Sequence, residues 1–260
     1  MPDQLQYIPS GSSQIFSYFH EPKGLLARDR AVLICNSGNQ EYTRCHWALK
    51  ALADSLSKNG FAVMRFDYTS TGDSSGETGG GSVTQWVEDA VAAGTALKKM
   101  AQVQHIQVIG IRLGAVIATR AAEKLGAIHQ ILWDPITDGS RYLSQLRAYN
   151  KQFAQDKQVA ALQQIHESYG ECLGFPINLR MLEELGDITP ASYHTSTRFC
   201  HSIFSSEEQY DEGRTNLPSK FNCSLVEDSG DWDDAETART ALFAGKISKE
   251  IVDITERPNQ

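Results

Sequence analysis

Apolar and polar positions follow two rhythms along this chain. Near its start, Gln4–Ile8 and Gln14–Tyr18 read as two strands around the turn residues Ser10-Gly11-Ser12, a hairpin signal. Ala31–Cys35, Phe61–Phe66, His105–Ile109 and Gln130–Trp133 are short, nearly continuous apolar runs, the pattern of buried strands. Between them the period lengthens to that of a helix. From about Thr43 to Lys58, Trp47, Ala48, Ala51, Leu52 and Leu56 are expected on one buried face, with Asn59-Gly60 as the stop. From Val83 to Met100, Trp86, Val87, Ala90, Val91, Gly94 and Leu97 are in phase, and a third helix is expected from Ala115 to Leu125. Asp67 to Ser82, rich in Gly, Ser and Thr, reads as loop, with Gly79-Gly80-Gly81 as a flexible linker.

Strands alternating with helices of this length imply right-handed βαβ units and an α/β fold with a mostly parallel central sheet and helices on both faces. The alternation stops between Gly139 and His194. That segment reads as largely helical, with Tyr142, Leu143, Leu146, Tyr149 and Phe153 as one apolar stripe, and is expected to be a cap over the strand ends. Strand character returns at Phe199–Ser205 and Phe221–Val226, and a helix at roughly Asp234 to Ala244 is expected to close the sheet. The expected organisation is one core domain, 1–138 and 195–260, with a helical insertion at 139–194.

The segment Gly110-Ile111-Arg112-Leu113-Gly114-Ala115 lies between an apolar strand and a helix, the setting of a nucleophile elbow Gly-x-Ser-x-Gly. Arg112 stands at its centre. Three other motifs accompany it. They are Cys35-Asn36-Ser37-Gly38-Asn39-Gln40-Glu41-Tyr42-x-Arg44-x-His46, Arg65-Phe66-Asp67-Tyr68-x-x-x-Gly72-Asp73-Ser74-x-Gly76, and Trp133-Asp134-Pro135. Together they resemble the α/β-hydrolase superfamily, and within it the serine-aminopeptidase-like branch and the hydrolase-like proteins of bacterial exosortase and exopolysaccharide loci. The likeness covers roughly residues 30 to 145 well and the remainder by element order. It implies an α/β-hydrolase fold and a biosynthetic setting, without naming a substrate.

Arginine stays protonated at physiological pH, so Arg112 is neither nucleophile nor base. In such folds the triad acid follows the sixth or seventh strand, where Glu207 and Glu208 stand. The triad histidine follows the last strand, where Glu227-Asp228-Ser229-Gly230-Asp231-Trp232-Asp233-Asp234 holds none. The expected chemistry therefore avoids an acyl-enzyme. Arg112 would stabilise an anion, Glu41 or Glu207 would serve as base, and Ser37, Asn39, Gln40, Leu113 and Asp134 would contact the substrate. The Leu113 amide would donate from a helix N-terminus. An internal ion pair to Glu41, Asp134, Glu207 or the Asp228/Asp231 cluster is the other role open to Arg112, because a buried charge needs a partner. Two alternatives differ in kind. One is a true esterase, thioesterase or acyltransferase with a displaced nucleophile, Ser37, Ser70 or Cys45, beside His46. The other is a pseudoenzyme that binds a partner protein through the cap, with the space around Arg112 filled.

Composition narrows the partners. The 260 residues carry a formal net charge of −8, and no basic run suggests nucleic-acid binding. Met1-Pro2-Asp3-Gln4 lacks the basic and apolar regions of a signal peptide, and no apolar stretch reaches the ~20 residues of a membrane span, so a cytoplasmic location is expected. Five widely spaced cysteines, Cys35, Cys45, Cys172, Cys200 and Cys223, read as reduced thiols. The expected ligand is a small acyl or carboxylate compound. No cofactor and no metal site are expected. A homodimer through the cap is a common arrangement that nothing in the sequence selects.

Overall fold

The computed structural model describes residues 4–24, 26–156, 170–172, 174–228, 232, 242 and 244–257. The first hairpin is β1 (Gln4–Ser10) and β2 (Ser13–His20), followed by β3 (Arg30–Cys35), α1 (Asn39–Lys58), β4 (Ala62–Phe66) and α2 (Val83–Ala101). Next come β5 (His105–Ile111), α3 (Leu113–Leu125), β6 (His129–Trp133) and α4 (Gly139–Asp156). A small hairpin, β7 (Gly170–Cys172) and β8 (Phe175–Ile177), precedes α5 (Leu179–Gly186) and a 3-10 turn at Pro190–Tyr193. The chain then forms β9 (Phe199–Phe204), α6 (Glu207–Asn216), β10 (Phe221–Leu225) and α7 (Gly245–Glu256).

Eight strands form one sheet in the order β1-β2-β4-β3-β5-β6-β9-β10. β1 and β2 pair antiparallel, as do β2 and β4, and every pairing from β4 to β10 is parallel. This is the α/β-hydrolase sheet. The two-residue period of a strand sorts its side chains between two cores. Ala31, Leu33 and Cys35 join α2 and α3 on one face, while Val32 and Ile34 join α1 and α7 on the other. Strand order reverses at β3, because the chain steps to β4 on one side and returns to β5 on the other. Loops at the carboxyl ends of β3 and β5 therefore flank the crevice where such sheets place ligands.

Several expectations need correction. α1 begins at Asn39, four residues before Thr43, because Gly38 with φ +67 turns the chain straight into the helix. Trp47 is 61% exposed and Ala51 is also exposed, whereas Ala48, Leu52 and Leu56 are buried. The buried stripe of α1 runs through Cys45, Leu49 and Leu52, one step round from the expected face. α3 starts at Leu113, directly after the elbow residue. The 139–194 segment contains the β7–β8 hairpin as well as helices. Its apolar stripe holds for Tyr142, Leu143 and Leu146, which pack with Met181, Leu185 and Ile188. The side chain of Phe153 lies outside the described residues. So does nearly all of the helix expected at Asp234 to Ala244; the described C-terminal helix is α7.

At the opposite end of the sheet from the crevice, His129 on β6 and His201 on β9 are buried with Nε2 and Nδ1 2.9 Å apart. Burial, then the neighbouring His201 and Arg30, push His129 down to about 3, and burial lowers His201. Both imidazoles are thus favoured neutral in the folded chain, while unfolded histidine titrates near 6.5. Their stability contribution is full above about pH 6.5 and is lost as pH falls toward the folded values. Urea unfolding at pH 7 and pH 5 is expected to show a loss at pH 5 to which His129 contributes about 2 kcal/mol. The His129→Asn variant should show a correspondingly smaller pH difference.

Candidate functional site

The elbow forms where β5 turns into α3. Arg112 has φ +52 and ψ −120, a conformation that costs a non-glycine residue roughly 1–3 kcal/mol. Its flanking glycines are required by contact. A Cβ on Gly110 would lie 2.4 Å from the Gly114 carbonyl oxygen, and one on Gly114 would lie 2.2 Å from the Asn36 carbonyl oxygen. The absence of side chains lets the start of α3 rest on the end of β3. The Arg112 amide is fixed by the Trp133 carbonyl at 3.0 Å.

The Arg112 side chain is buried at 6% exposure. Its Nε donates to Glu41 Oε1 at 3.2 Å, and Nη1 lies 3.4 Å from the Asp134 carbonyl oxygen. The guanidinium sits 5.1 Å from the Trp232 ring centroid and 5.7 Å from that of Tyr142. Arg44 approaches the same indole at 5.0 Å. Trp232 therefore contacts two guanidiniums, and its Nε1 donates to Asp134 Oδ2 at 2.6 Å. Asp134 also accepts from the Ser205 amide and hydroxyl at 2.8 and 2.7 Å. Burial raises the Asp134 carboxyl, against the hydrogen bonds from Ser205 and Trp232 and the charge of Arg112. Burial lowers Arg44, Glu41 opposes that shift, and Arg112 adds to it. Among the described residues, Arg112, Arg44, Glu41 and Asp134 thus lie together in one buried polar cluster.

Of the sequence-derived site residues, the fold brings together Arg112, Glu41 and Asp134. Ser37 is buried and shares a hydrogen bond with Cys45 Sγ at 3.4 Å. Gln40 and Leu113 are buried at the starts of α1 and α3. Glu207 lies exposed in the first turn of α6, and the described carboxylate partner of Arg112 is Glu41. Glu208 pairs instead with Arg141 at 2.9 Å. Cys45 is buried, and desolvation pushes its thiol up to about 12, which removes its nucleophilic character. Asp231 lies outside the described residues. Sequence reasoning missed Trp232. It follows the last strand, where a histidine was sought, and its contact with Arg112 has no signature in spacing. Among the described residues no cluster of three His, Cys, Asp or Glu is placed to hold a metal.

Two spaces open at this end of the sheet. Beside Arg112, Asp134, Tyr142 and Gln209 is a cavity of about 50 Å³, room for a few waters. A second cavity of about 470 Å³, within the range of small-molecule sites, lies between α1, the loop after β4, and β8. Asn39 is the site residue from sequence that lines it, together with Tyr42, His46, Trp47, Ser70, Phe175 and others. Gly79 is not the flexible linker expected, since with φ +84 it packs against Pro176, where a Cβ would lie 2.9 Å away. The Asn178 amide ties the same loop down, donating to the carbonyls of Gly79 and Gly81 at 2.6 and 2.8 Å.

Removing one partner of a buried ion pair leaves the other charge uncompensated. Glu41→Leu is expected to cost about 3 kcal/mol in chemical denaturation, while the double variant Glu41→Leu/Arg112→Met recovers part of that loss.

Comparison with known proteins agrees with this geometry. Among solved structures, the chain superposes on an esterase of Pyrococcus furiosus with TM-score 0.64 and 14% identity, covering 99% of this chain and 93% of that one. It also matches a proline iminopeptidase-related protein of Thermus thermophilus (TM-score 0.65, 15% identity, 99% of both chains). A third match is Est1E of Butyrivibrio proteoclasticus with ferulic acid bound (TM-score 0.65, 14% identity, 97% and 98%). At these identities the likeness carries the fold. No curated protein sequence matches the chain. The family model described as serine aminopeptidase, S33, matches residues 27–164, more than half of the chain and the whole stretch from β3 through the elbow into α4. The chain therefore belongs to the serine aminopeptidase S33 family of α/β hydrolases, with an arginine at the elbow.

Proposed function

We propose that this chain handles a small acyl compound without forming an acyl-enzyme, and that Arg112 closes the former nucleophile pocket. The observation that carries the reading is the Arg112–Glu41 pair at 3.2 Å in an elbow that keeps its strained backbone. A cation held by a carboxylate, a carbonyl and two aromatic faces is already satisfied. Only about 50 Å³ remains beside it, so an internal ion pair accounts for the geometry better than capture of a ligand carboxylate. Loss of the nucleophile here coincides with the absence of a histidine between Val226 and Gln260.

The small space beside Arg112 also suits a partner-binding pseudoenzyme. The larger cavity favours a small ligand over that reading, because about 470 Å³ stays open beside the first turn of α1. Residues 139–194 act in this proposal as a cap, contributing Phe175 and Pro176 to the cavity wall. A biosynthetic role in a polysaccharide-type locus remains an implication of the sequence motifs.

A fluorophosphonate probe followed by intact-mass measurement is expected to leave the protein unlabelled, and p-nitrophenyl acetate turnover should stay at the level of Arg112→Ala. Arg112→Ser should also stay unlabelled, because a serine without a base is not activated. A stoichiometric adduct on the wild-type chain would overturn the proposal. Its mapping to Ser70 would establish the displaced-nucleophile hydrolase in its place.

A further inference from the structure

The wall of the larger cavity has a distinct chemistry. Among the described residues that line it, none is Asp, Glu, Lys or Arg. What it offers is aromatic surface and neutral hydrogen-bonding groups. Trp47 and Phe175 supply flat apolar faces, and Asn39, Ser70, Ser74 and Thr78 supply amide and hydroxyl groups. Trp47, at 61% exposure on an otherwise well-packed helix, is a large apolar side chain left uncovered. Such a wall rejects an ion, which would be desolvated without a partner, and suits a neutral ligand with both a flat face and hydroxyl groups.

His46 gives the wall a direction. Its Nδ1 lies 3.3 Å from the Tyr42 hydroxyl, and its ring packs edge-on to Tyr42 and Trp47. Tyr42 in turn hydrogen-bonds the Asp67 carboxylate; burial first, and then the Asp67 charge, raise the phenol. With Nδ1 engaged by Tyr42, Nε2 is the ring nitrogen left for a ligand. Burial and the charge of Arg65 lower His46, against Asp67, and Lys50 adds to the lowering, so the neutral ring presents a hydrogen-bond acceptor. The loop opposite is held in place. Ser70 keeps a positive φ of +68, its amide bonds the Ser75 carbonyl, and Asn178 anchors Gly79 and Gly81.

We propose that this cavity binds a neutral, hydroxyl-bearing compound with one flat apolar face, stacked on Trp47 and donating a hydroxyl hydrogen bond to His46. Tyr42 is the positioning residue that orients the imidazole. The inference deepens the reading above by naming the ligand class, and it rests on that reading only for the location of the ligand space.

The test uses the full chain and three probes matched in ring size: phenyl β-D-glucoside, which is neutral and hydroxylated; phenylacetate, which is anionic; and benzyl methyl ether, which lacks a hydroxyl. Binding is read from tryptophan fluorescence and from the ¹⁵N shifts of imidazole-labelled protein. Phenyl glucoside is expected to saturate, to move the His46 signal, and to bind at least about tenfold more tightly than phenylacetate. Trp47→Ala, at an exposed position, should weaken it about tenfold. His46→Phe should weaken phenyl glucoside about fivefold and leave benzyl methyl ether unchanged, as removal of one hydrogen bond predicts. Tighter binding of phenylacetate, indifference to Trp47→Ala, or no saturation by phenyl glucoside overturns the inference. None of these results depends on whether a serine reacts with fluorophosphonate, so the two proposals fail separately.

Discussion

A guanidinium buried at the turn between β5 and α3 organises this end of the molecule. Taking such a charge out of water costs several kcal/mol unless it is paired. The structure answers from four separate parts of the chain. Glu41 comes from the first turn of α1, the Asp134 carbonyl from the end of β6, Tyr142 from α4, and Trp232 from beyond β10. Arg44 and the Asp134 side chain join the set through the Trp232 indole. The backbone under Arg112 keeps the strained conformation of an elbow, while its side chain has become part of the packing.

This arrangement separates two properties that usually coincide in the fold. The elbow fixes the relation of β5, α3 and β3 through glycine contacts that do not involve the central side chain. Those contacts survive any residue at position 112 that tolerates the positive φ. Chemistry depends on that side chain and on its partners after β6 and β10. In this chain the first property is intact, and the elbow side chain is an arginine paired with Glu41. A larger volume lies along α1 in the cavity lined by Trp47 and Phe175, with no charged side chain among the described lining residues. Whatever enters there meets aromatic faces and hydroxyls, and Arg112 borders a different, smaller space.

Much of the fold was legible in the linear pattern because each signal was local. The apolar runs of β3, β4, β5 and β6 and the periodicity of α2 gave elements close to those observed, with ends within a few residues. The errors have physical causes. Periodicity starts α1 near Thr43 and not at Asn39 because the true start depends on the backbone of Gly38, which sequence spacing does not record. Trp47 read as core because bulk and phase suggested burial, yet the loop after β4 and β8 leave space over it. Gly79-Gly80-Gly81 read as a linker because the close approach of Gly79 to Pro176 joins residues distant in sequence.

The sequence by itself determined the α/β order, the elbow with its two glycines, and the substitution of arginine for a nucleophile. These follow from residue type and short-range periodicity. Only the tertiary structure decided that Glu41 pairs with Arg112, that Glu207 is exposed at the start of α6, and that Trp232 packs against the guanidinium. It alone also placed the main cavity at His46 and Trp47. Partner choice for a buried charge is a long-range matter, set by which of several carboxylates the packed strand ends bring within hydrogen-bonding distance. Several acidic candidates were equivalent in sequence, and among the described residues Glu41 is the carboxylate brought into an ion pair with Arg112.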